Sequence, residues 1–222
     1  MESPRTLEEI SDGKIYDIDD CVAADTGGCK GCSACCHSVG DLVILTPFDV
    51  YEIASHLNQS LDELLENYIE LREKNKIQLP HLKMQGTSER CSFLNSEGRC
   101  SIHGYRPNIC RLFPLGRIYE QNTFKYFLQV GSCPKPKLET VQIREWIGID
   151  NYEVNKEMIF IWHQFIKALT FRLKFVYDMA EIDKMNSYLI DTFYRIPLDS
   201  EVDFYAEFYK RLPIAKSELG IL

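Results

Sequence analysis

The sequence predicts a mainly α-helical protein with a small, loop-rich cysteine core that contains short strands, an α+β fold. One observation is the distribution of cysteine: all nine lie between Cys21 and Cys133, and the rest of the chain has none. The other is the C-terminal part, where apolar residues recur at the spacing of helices that bury one face. Glycine and proline interrupt the region around residues 79–110, which is typical of short strands and turns.

These patterns divide the 222 residues into three parts. Residues 1–20 form an acidic N-terminal extension. Residues 21–135 form a cysteine-cluster domain that we expect to bind metal. Residues 136–222 form a helical region that we expect to pack on that domain.

Charge and hydropathy argue against several classes of protein. A net charge of -8 disfavours general nucleic-acid binding, because such binding requires a basic surface that displaces counterions. No stretch approaches the roughly 20 consecutive apolar residues of a membrane span, and the acidic N-terminus has no apolar signal-peptide core. We therefore expect a cytoplasmic protein, in which clustered cysteines more often hold metal than form disulfides.

Two helices are predicted after the first cysteine cluster. Thr46 and Pro47 are typical of a helix start, which predicts a helix over 47–57. The sequence "SLDE" from Ser60 is typical of a capping box, and the apolar residues that follow have helical spacing. A second helix is therefore predicted over 61–75. The apolar positions on which it rests are Leu61, Leu64, Leu65, Tyr68 and Leu71.

Two hairpins and a longer helix are predicted farther along the chain. The sequence "NSEG" at 95–98 predicts a turn between short strands, and a second hairpin turns at Gln121-Asn122. The C-terminal region predicts three or four helices, the longest over about 151–177. We expect this helix to be buried, because it is apolar nearly all round. One face is Val154, Met158, Ile161, Phe165, Leu169 and Val176, and the aromatic residues are Phe160, Trp162, Phe165, Phe171 and Phe175.

The segment "GCKGCSACCH" at 28–37 packs four cysteines into eight positions. The C-x2-C-x2-C spacing of Cys29, Cys32 and Cys35 lets three thiolates of one loop reach one metal centre. Bacterial ferredoxins use this spacing with a remote cysteine that precedes proline, and Cys133 likewise precedes proline.

Cys36 directly follows Cys35, and adjacent side chains point in different directions. This favours two sites, or one large cluster with additional thiols around it. Cys91 and Cys100 flank a predicted turn and Cys110 follows, so we expect the first loop to lie against this segment. The predicted metal ligands are Cys29, Cys32, Cys35, Cys36, Cys91, Cys100, Cys110 and Cys133.

Four other residues are candidates for contact with the metal centre. His37 and His103 can bind zinc or replace cysteine on iron, but the supply of cysteines favours a supporting role for both. Arg106 and Arg111 bracket Cys110, where guanidinium groups can stabilise thiolates and donate to cluster sulfide. For Arg106 a surface ion pair is an equal alternative, whereas for Arg111 the site is favoured.

The combined motifs resemble the YkgJ-type family, also called the CxxCxxCC family, over roughly residues 27–135. The matching stretches are "CKGCSACC", "CSFLNSEGRCSIHGYRPNICRLFP", the late cysteine, and Thr46 with Asp49 at a helix start. The resemblance implies a zinc- or iron-chelating domain. A more distant likeness is to flagellin lysine N-methylase, whose cluster is thought to be iron–sulfur, although this chain lacks the tryptophan expected shortly after the double cysteine.

Three functions are compatible with these residues. The favoured one is binding of one or two iron–sulfur clusters of the [4Fe-4S] type, for electron transfer or support of a redox or group-transfer reaction with a redox or substrate protein as partner. The second is a structural zinc scaffold or interaction module. The third is an enzyme with an open coordination position near His37 or His103, such as a lysine N-methylase-like protein. No phosphate loop, dinucleotide fingerprint or nucleophile elbow indicates catalytic residues.

Overall fold

The fold is mainly helical with short strands, in a computed structural model that describes residues 6–25, 27, 32–135, 137–198 and 202–221. Eight helices and eight strands within these residues confirm the predicted fold class. None of these helices is long and apolar enough to cross a membrane. The helices are α1 (Leu7–Ile10), α2 (Pro47–Leu57), α3 (Leu61–Asn67), α4 (Asn108–Leu112), α5 (Ile143–Ile147), α6 (Tyr152–Leu173), α7 (Met179–Phe193) and α8 (Phe204–Glu218). The strands are β1 (Cys21–Asp25), β2 (Ile69–Lys74), β3 (Ile77–Leu82), β4 (Met84–Gln85), β5 (Arg90–Cys91), β6 (Leu115–Tyr119), β7 (Phe124–Leu128) and β8 (Glu139–Gln142).

The strands form four separate two-stranded antiparallel sheets. The pairs β2–β3, β4–β5 and β6–β7 join neighbours along the chain. The pair β1–β8 joins distant segments, with Val22 opposite Val141. The N-terminal segment also pairs with the rest of the chain, since Tyr16 lies opposite Tyr126 on β7. Segments on both sides of residue 135 therefore share backbone hydrogen bonds.

Helix α2 begins and ends as predicted. The Asp49 amide donates to Thr46 Oγ1 (3.2 Å), the Thr46 amide donates to the Asp49 carboxyl group (2.8 Å), and Pro47 occupies the first turn. Asn58, with a φ of 51°, ends the helix in the left-handed conformation. Local sequence is sufficient to set both ends of this helix.

The second predicted helix is only partly correct. Helix α3 begins at its capping box but ends at Asn67, and β2 occupies the remainder. β2 pairs with β3 across a two-residue turn at Asn75 and Lys76, where φ is 54° and 67°. Ile69 and Leu71 fit a strand as well as a helix, because they also alternate with polar residues. The pairing with β3 therefore overrides the helical spacing.

Both predicted turns are confirmed. Leu94 pairs with Cys100 around the turn at 95–98. β6 and β7 form the second hairpin, in which the Glu120 amide donates to the Thr123 carbonyl (2.8 Å).

Four helices follow residue 135, and the longest, α6, is slightly shorter than predicted. Its buried face includes Trp162, Phe165 and Leu169, but Val154 is 39% exposed. The expectation that the helix is buried nearly all round is wrong at its C-terminal end, since Phe171 is 62% exposed. Phe171 lies two residues beyond Leu169 and therefore on the opposite side of the helix.

The C-terminal helices pack on α2. The Tyr194 hydroxyl, at the end of α7, donates to the buried carbonyl of Leu45 (3.0 Å). Phe48 and Tyr51 of α2 contact Phe204 of α8, with ring centroids 5.3 and 5.1 Å apart. Helix α2 thus connects the helical region with the cysteine-rich segments described next.

A candidate metal centre

The first cysteine loop lies against strand β5. The chain makes a single 3-10 turn over Ala34–Cys36. His37 then pairs with Arg90, and the Ser38 amide donates to the Glu89 carbonyl (2.9 Å). These backbone contacts bring the loop to the segment where we expected it.

Cys91 and Cys100 lie close together because the chain between them folds back. Leu94 pairs with Cys100, and the Ser101 amide donates to the Phe93 carbonyl (2.8 Å). Both cysteines then face the first loop.

Cys110 is carried by the short helix α4. The Asn108 amide, at the start of this helix, donates to the carboxyl group of Asp49 on α2 (2.7 Å). At the other end, the Phe113 amide donates to the Ile109 carbonyl (3.2 Å). Cys110 is thereby directed toward the same space as the other cysteines.

These segments enclose a cavity of about 490 Å³ whose wall combines sulfur with apolar side chains such as Val39, Phe93 and Ile102. Six predicted ligands line it: Cys32, Cys35, Cys36, Cys91, Cys100 and Cys110. A smaller cavity adjoins it and is lined by Cys32, Cys35 and Cys133, together with Trp146. The remaining predicted ligand, Cys29, lies outside the described residues.

The sulfurs surround a volume rather than a single point. In the part of the chain that the structure describes, no group of three or more cysteine, histidine, aspartate or glutamate side chains is placed to hold one metal ion. An all-sulfur donor set suits zinc, copper(I) or iron–sulfur clusters. The chemistry of the cavity lining therefore fits a metal held by thiolates.

The adjacent Cys35 and Cys36 both line the main cavity, and only Cys35 also lines the smaller one. The interaction between their side chains lowers the pKa of Cys35 and raises the pKa of Cys36. The positive charge of Arg106 also lowers the pKa of Cys35. The 3-10 turn allows this contact, because the directions of consecutive side chains diverge less in such a turn than in an extended strand.

Three further thiols of the main cavity have a pKa that is raised by burial. They are Cys91, Cys100 and Cys110. Thiols with a raised pKa keep their protons more readily, so a metal that binds them must displace protons.

Arg106 faces the main cavity, whereas the sequence favoured Arg111. Arg106 lines the main cavity and donates to His103 Nε2 (2.7 Å). The Arg111 guanidinium is instead directed at the backbone carbonyls of Gly104, Arg106 and Gly148, and Arg111 is not among the described residues that line either cavity. The Gly104 and Arg106 carbonyls belong to the turn just before α4, whereas Gly148 lies 37 residues beyond Arg111 in the chain, a contact that the local sequence does not reveal.

The two candidate histidines differ in their surroundings. His103 lines the main cavity, and burial together with nearby arginines lowers its pKa. Because its Nε2 accepts a hydrogen bond from Arg106 and the neutral ring then carries its proton on Nδ1, no nitrogen lone pair is left for a metal in this arrangement. His37 Nδ1 lies 2.9 Å from the Ser33 carbonyl, and His37 is not part of the cavity lining within the described ranges.

Arg99 also lines the main cavity, and the sequence interpretation missed it. The positive charge of Arg99 lowers the pKa of His103, as the charge of Arg106 does. Arg99 directly precedes Cys100, as Arg111 directly follows Cys110. An arginine next to a cysteine in sequence, the feature that indicated Arg111, is thus found at Arg99 as well.

A loop-rich domain that gathers cysteines from separate segments around one cavity defines the class of cysteine-rich metal-binding domains. Within that class, residues 28–134 match the model of the CxxCxxCC family, whose description is "Putative zinc- or iron-chelating domain". This match confirms the family resemblance over slightly less than half of the chain. No curated protein and no solved structure matches the chain, so the likeness to flagellin lysine N-methylase has no support.

Proposed function

We propose that the cysteine-lined cavities hold one or two iron–sulfur clusters, with which the protein transfers electrons or supports a redox or group-transfer reaction. One observation carries this proposal, the size of the main cavity relative to its donors. Six cysteine side chains line about 490 Å³, while no three donors among the described residues are placed for a single ion.

A single zinc ion requires a tighter arrangement. Closed zinc sites hold four ligands in a tetrahedron with Zn–S bonds of about 2.3 Å, so the sulfurs lie roughly 4 Å apart. In a [4Fe-4S] cluster four thiolates bind different iron atoms and surround a larger group. A roomy, sulfur-lined cavity supports the second arrangement.

The lining of the two cavities suggests a division of the ligands, although the smaller cavity has a volume of only about 20 Å³, so that cavity size supports a cluster in the main cavity alone. Four cysteines line only the main cavity, one lines only the smaller cavity, and two line both. We assign the first four to one cluster and the others, with Cys29, to a second. The first set is Cys36, Cys91, Cys100 and Cys110, and the second is Cys29, Cys32, Cys35 and Cys133. The second set has the spacing and the terminal Cys-Pro of bacterial ferredoxins.

Residues of the chain would set the properties of such a centre. A bound iron–sulfur cluster supplies one-electron oxidation and reduction. Arg99 and Arg106 place positive charge beside the thiolates, which offsets the negative charge that reduction adds. Phe93 and Phe113 in the cavity wall limit access of water, which is another determinant of the reduction potential.

Zinc is the second candidate, because the family description names it beside iron and because each set of four cysteines is also a complete zinc ligand set. Zinc would stabilise the cysteine core without redox chemistry. The protein would then be a scaffold or an interaction module.

The metal itself distinguishes the two candidates. We expect protein purified without oxygen to be brown, with iron and acid-labile sulfide in equal amounts. The measurements are the visible spectrum and elemental analysis per chain. A colourless sample with stoichiometric zinc and no iron would exclude iron–sulfur clusters and leave the zinc alternative.

The division into two sets is tested by Cys35→Ser and Cys36→Ser, since serine is a much poorer ligand for soft metals. We expect each variant to retain roughly half of the metal and the double variant to retain almost none. The measurement is metal per chain after anaerobic purification. Cys21→Ser is the matched control, because Cys21 is exposed and lies outside both cavities.

Two results would contradict this division. In one, a single substitution abolishes all binding while the other is silent, which indicates one centre. In the other, both single variants lose all metal with unchanged helix content by circular dichroism, which indicates one shared cluster.

A further inference from the structure

Asp49 carries more hydrogen bonds than a helix cap requires. Its side chain is buried, with 3% exposure, in the first turn of α2. Oδ2 accepts from the amide and the hydroxyl of Thr46, both at 2.8 Å. Oδ1 accepts from the amide and the side-chain nitrogen of Asn108, at 2.7 and 2.9 Å. One carboxyl group thus joins the starts of two helices that lie 59 residues apart in sequence.

The capping box of α3 shows what a cap alone requires. Glu63 Oε2 accepts from the amide and the hydroxyl of Ser60 at 2.7 and 2.8 Å, as Asp49 Oδ2 does for Thr46. The Glu63 hydrogen bonds are exposed and local. The two hydrogen bonds from Asn108 are therefore additional to the capping of α2. Because burial of a carboxyl group is unfavourable unless it is hydrogen-bonded, these bonds stabilise α4 against α2.

Helix α4 depends on such an anchor. It has five residues, Asn108–Leu112, and a helix this short is not stable by itself. Cys110 lies two residues after Asn108, so the position of Asn108 sets the direction of the Cys110 side chain. Cys110 in turn faces the main cavity with Cys91 and Cys100.

We infer that Asp49 is a positioning residue of the metal centre, which holds α4 so that Cys110 faces Cys91 and Cys100 across the main cavity. The inference rests on the proposed function for its consequence, the binding of metal. The placement of Cys110 can be tested separately, in protein without metal.

The first experiment measures cysteine alkylation in the metal-free full-length protein under native conditions, by mass spectrometry. In Asp49→Ala we expect Cys110 to react about tenfold faster or more than in wild type, since two hydrogen bonds to the buried carboxyl group are lost. Cys91 is the internal reference, because it lies in β5 and not in α4. Asp49→Asn keeps one carbonyl oxygen that can accept from the Asn108 amide, so it should restore most of the protection.

Two matched variants separate this role from helix capping. Thr46→Ala removes the cap of α2 but leaves the Asp49–Asn108 hydrogen bonds, and Glu63→Ala removes the carboxyl group of an equivalent capping box. Both should leave the ratio of Cys110 to Cys91 alkylation as in wild type. Asn108→Ala removes only the side-chain hydrogen bond to Asp49 and should raise this ratio by a smaller factor. This variant still tests the inference if Asp49→Ala does not fold.

The second experiment measures metal per chain in the same variants beside wild type. If wild type holds metal, Asp49→Ala should lose the share bound by the Cys110 set, roughly half, while Thr46→Ala and Glu63→Ala retain it. Full metal content in Asp49→Ala would overturn the inference, as would an unchanged alkylation ratio in Asp49→Ala and Asn108→Ala. Wild type without metal would refute the proposed function, while the alkylation ratio would still decide the placement of Cys110.

Discussion

At the scale of single residues, His81 shows how burial of a titratable side chain makes the stability of the fold depend on pH. It is 5% exposed on β3, and its Nδ1–H donates to the Gly40 carbonyl at 3.0 Å. Burial lowers its pKa, and the positive charge of Arg72 adds to this effect, while the carboxylates of Asp41 and Glu70 oppose it. His81 is therefore neutral in the folded protein at pH values where it is protonated in the unfolded chain.

The sign of the pH dependence follows from this shift. Below about pH 6.5, the ordinary pKa of histidine, the unfolded chain binds a proton at His81 that the folded protein does not. The unfolded state is then favoured, so stability falls as the pH falls from about 6.5 toward the lowered pKa of the folded state. We expect His81→Asn, which keeps a donor for Gly40 but does not titrate, to flatten this slope.

The measurement is Tm between about pH 5 and pH 8 for wild type and His81→Asn. His56→Asn is the control, because it replaces an exposed histidine, and it should reproduce the wild-type slope. His103 and His163 also have a lowered pKa and will leave part of the dependence in place. Parallel curves for wild type and His81→Asn would refute the assignment.

At the scale of elements, the β2–β3 hairpin depends on helices that lie about 100 residues farther along the chain. Lys76 Nζ donates to the carbonyls of Leu173 (3.2 Å) and Val176 (2.7 Å) at the end of α6. Asn186 of α7 accepts from the Gln78 amide (2.9 Å) and donates to the Lys76 carbonyl (3.0 Å). These contacts hold a lysine at positive φ, a conformation that is uncommon for residues with a side chain.

Asn186 is therefore expected to be an anchor of the hairpin. Asn186→Ala leaves the backbone groups of Gln78 and Lys76 without these partners, which costs about 1–3 kcal/mol for each unsatisfied buried group. We expect Tm to fall by several degrees, at about 2–4 °C per kcal/mol for a protein of this size. Thermal unfolding followed by circular dichroism measures the effect.

Asn67→Ala is the control for this substitution. Asn67 is exposed, and its side chain donates a local hydrogen bond to the Glu63 carbonyl (3.1 Å) within α3. Its loss should change stability by no more than about 0.5 kcal/mol. Equal losses of Tm in the two variants would show that the hairpin does not depend on α7.

At the scale of the whole molecule, metal should stabilise the cysteine core more than the C-terminal helices. Without metal, the thiols of the main cavity have few interactions that hold their loops together. The helices α6, α7 and α8 pack directly on one another through aromatic side chains, since the Trp162 ring lies 5.1 Å from Phe193 and 6.3 Å from Phe208. We therefore expect a chelator, or oxidation of the cluster, to lower the Tm of the core by roughly 10 °C or more.

The two tryptophans allow the two regions to be followed separately. Trp146 lines the smaller cavity, and Trp162 lies among the C-terminal helices. In metal-free protein, the Trp146 fluorescence of Trp162→Phe should change at a lower temperature than the Trp162 fluorescence of Trp146→Phe. An unchanged melting curve after removal of the metal would refute the stabilising role of the metal.

The sequence by itself determined the features that depend on neighbouring residues. Thr46, Pro47 and Asp49 set the start of α2, because a helix cap is made within one turn of the chain. The turn at 95–98 and the hairpin at Gln121-Asn122 are equally local. The cysteine motif indicated the family resemblance and the chemistry of the donors, because the spacing and type of the ligands can be read from the sequence.

Only the tertiary structure decided which residues meet across long distances in sequence. β2 replaced the end of a predicted helix because Lys76 and Asn186 hold a turn that has no glycine to reveal it. Arg106 rather than Arg111 faces the cavity because backbone carbonyls bind the Arg111 guanidinium, and one of them, that of Gly148, lies 37 residues away in sequence. Each of these outcomes is set by the satisfaction of buried or partly buried polar groups, whose partners become known only when the chain has folded.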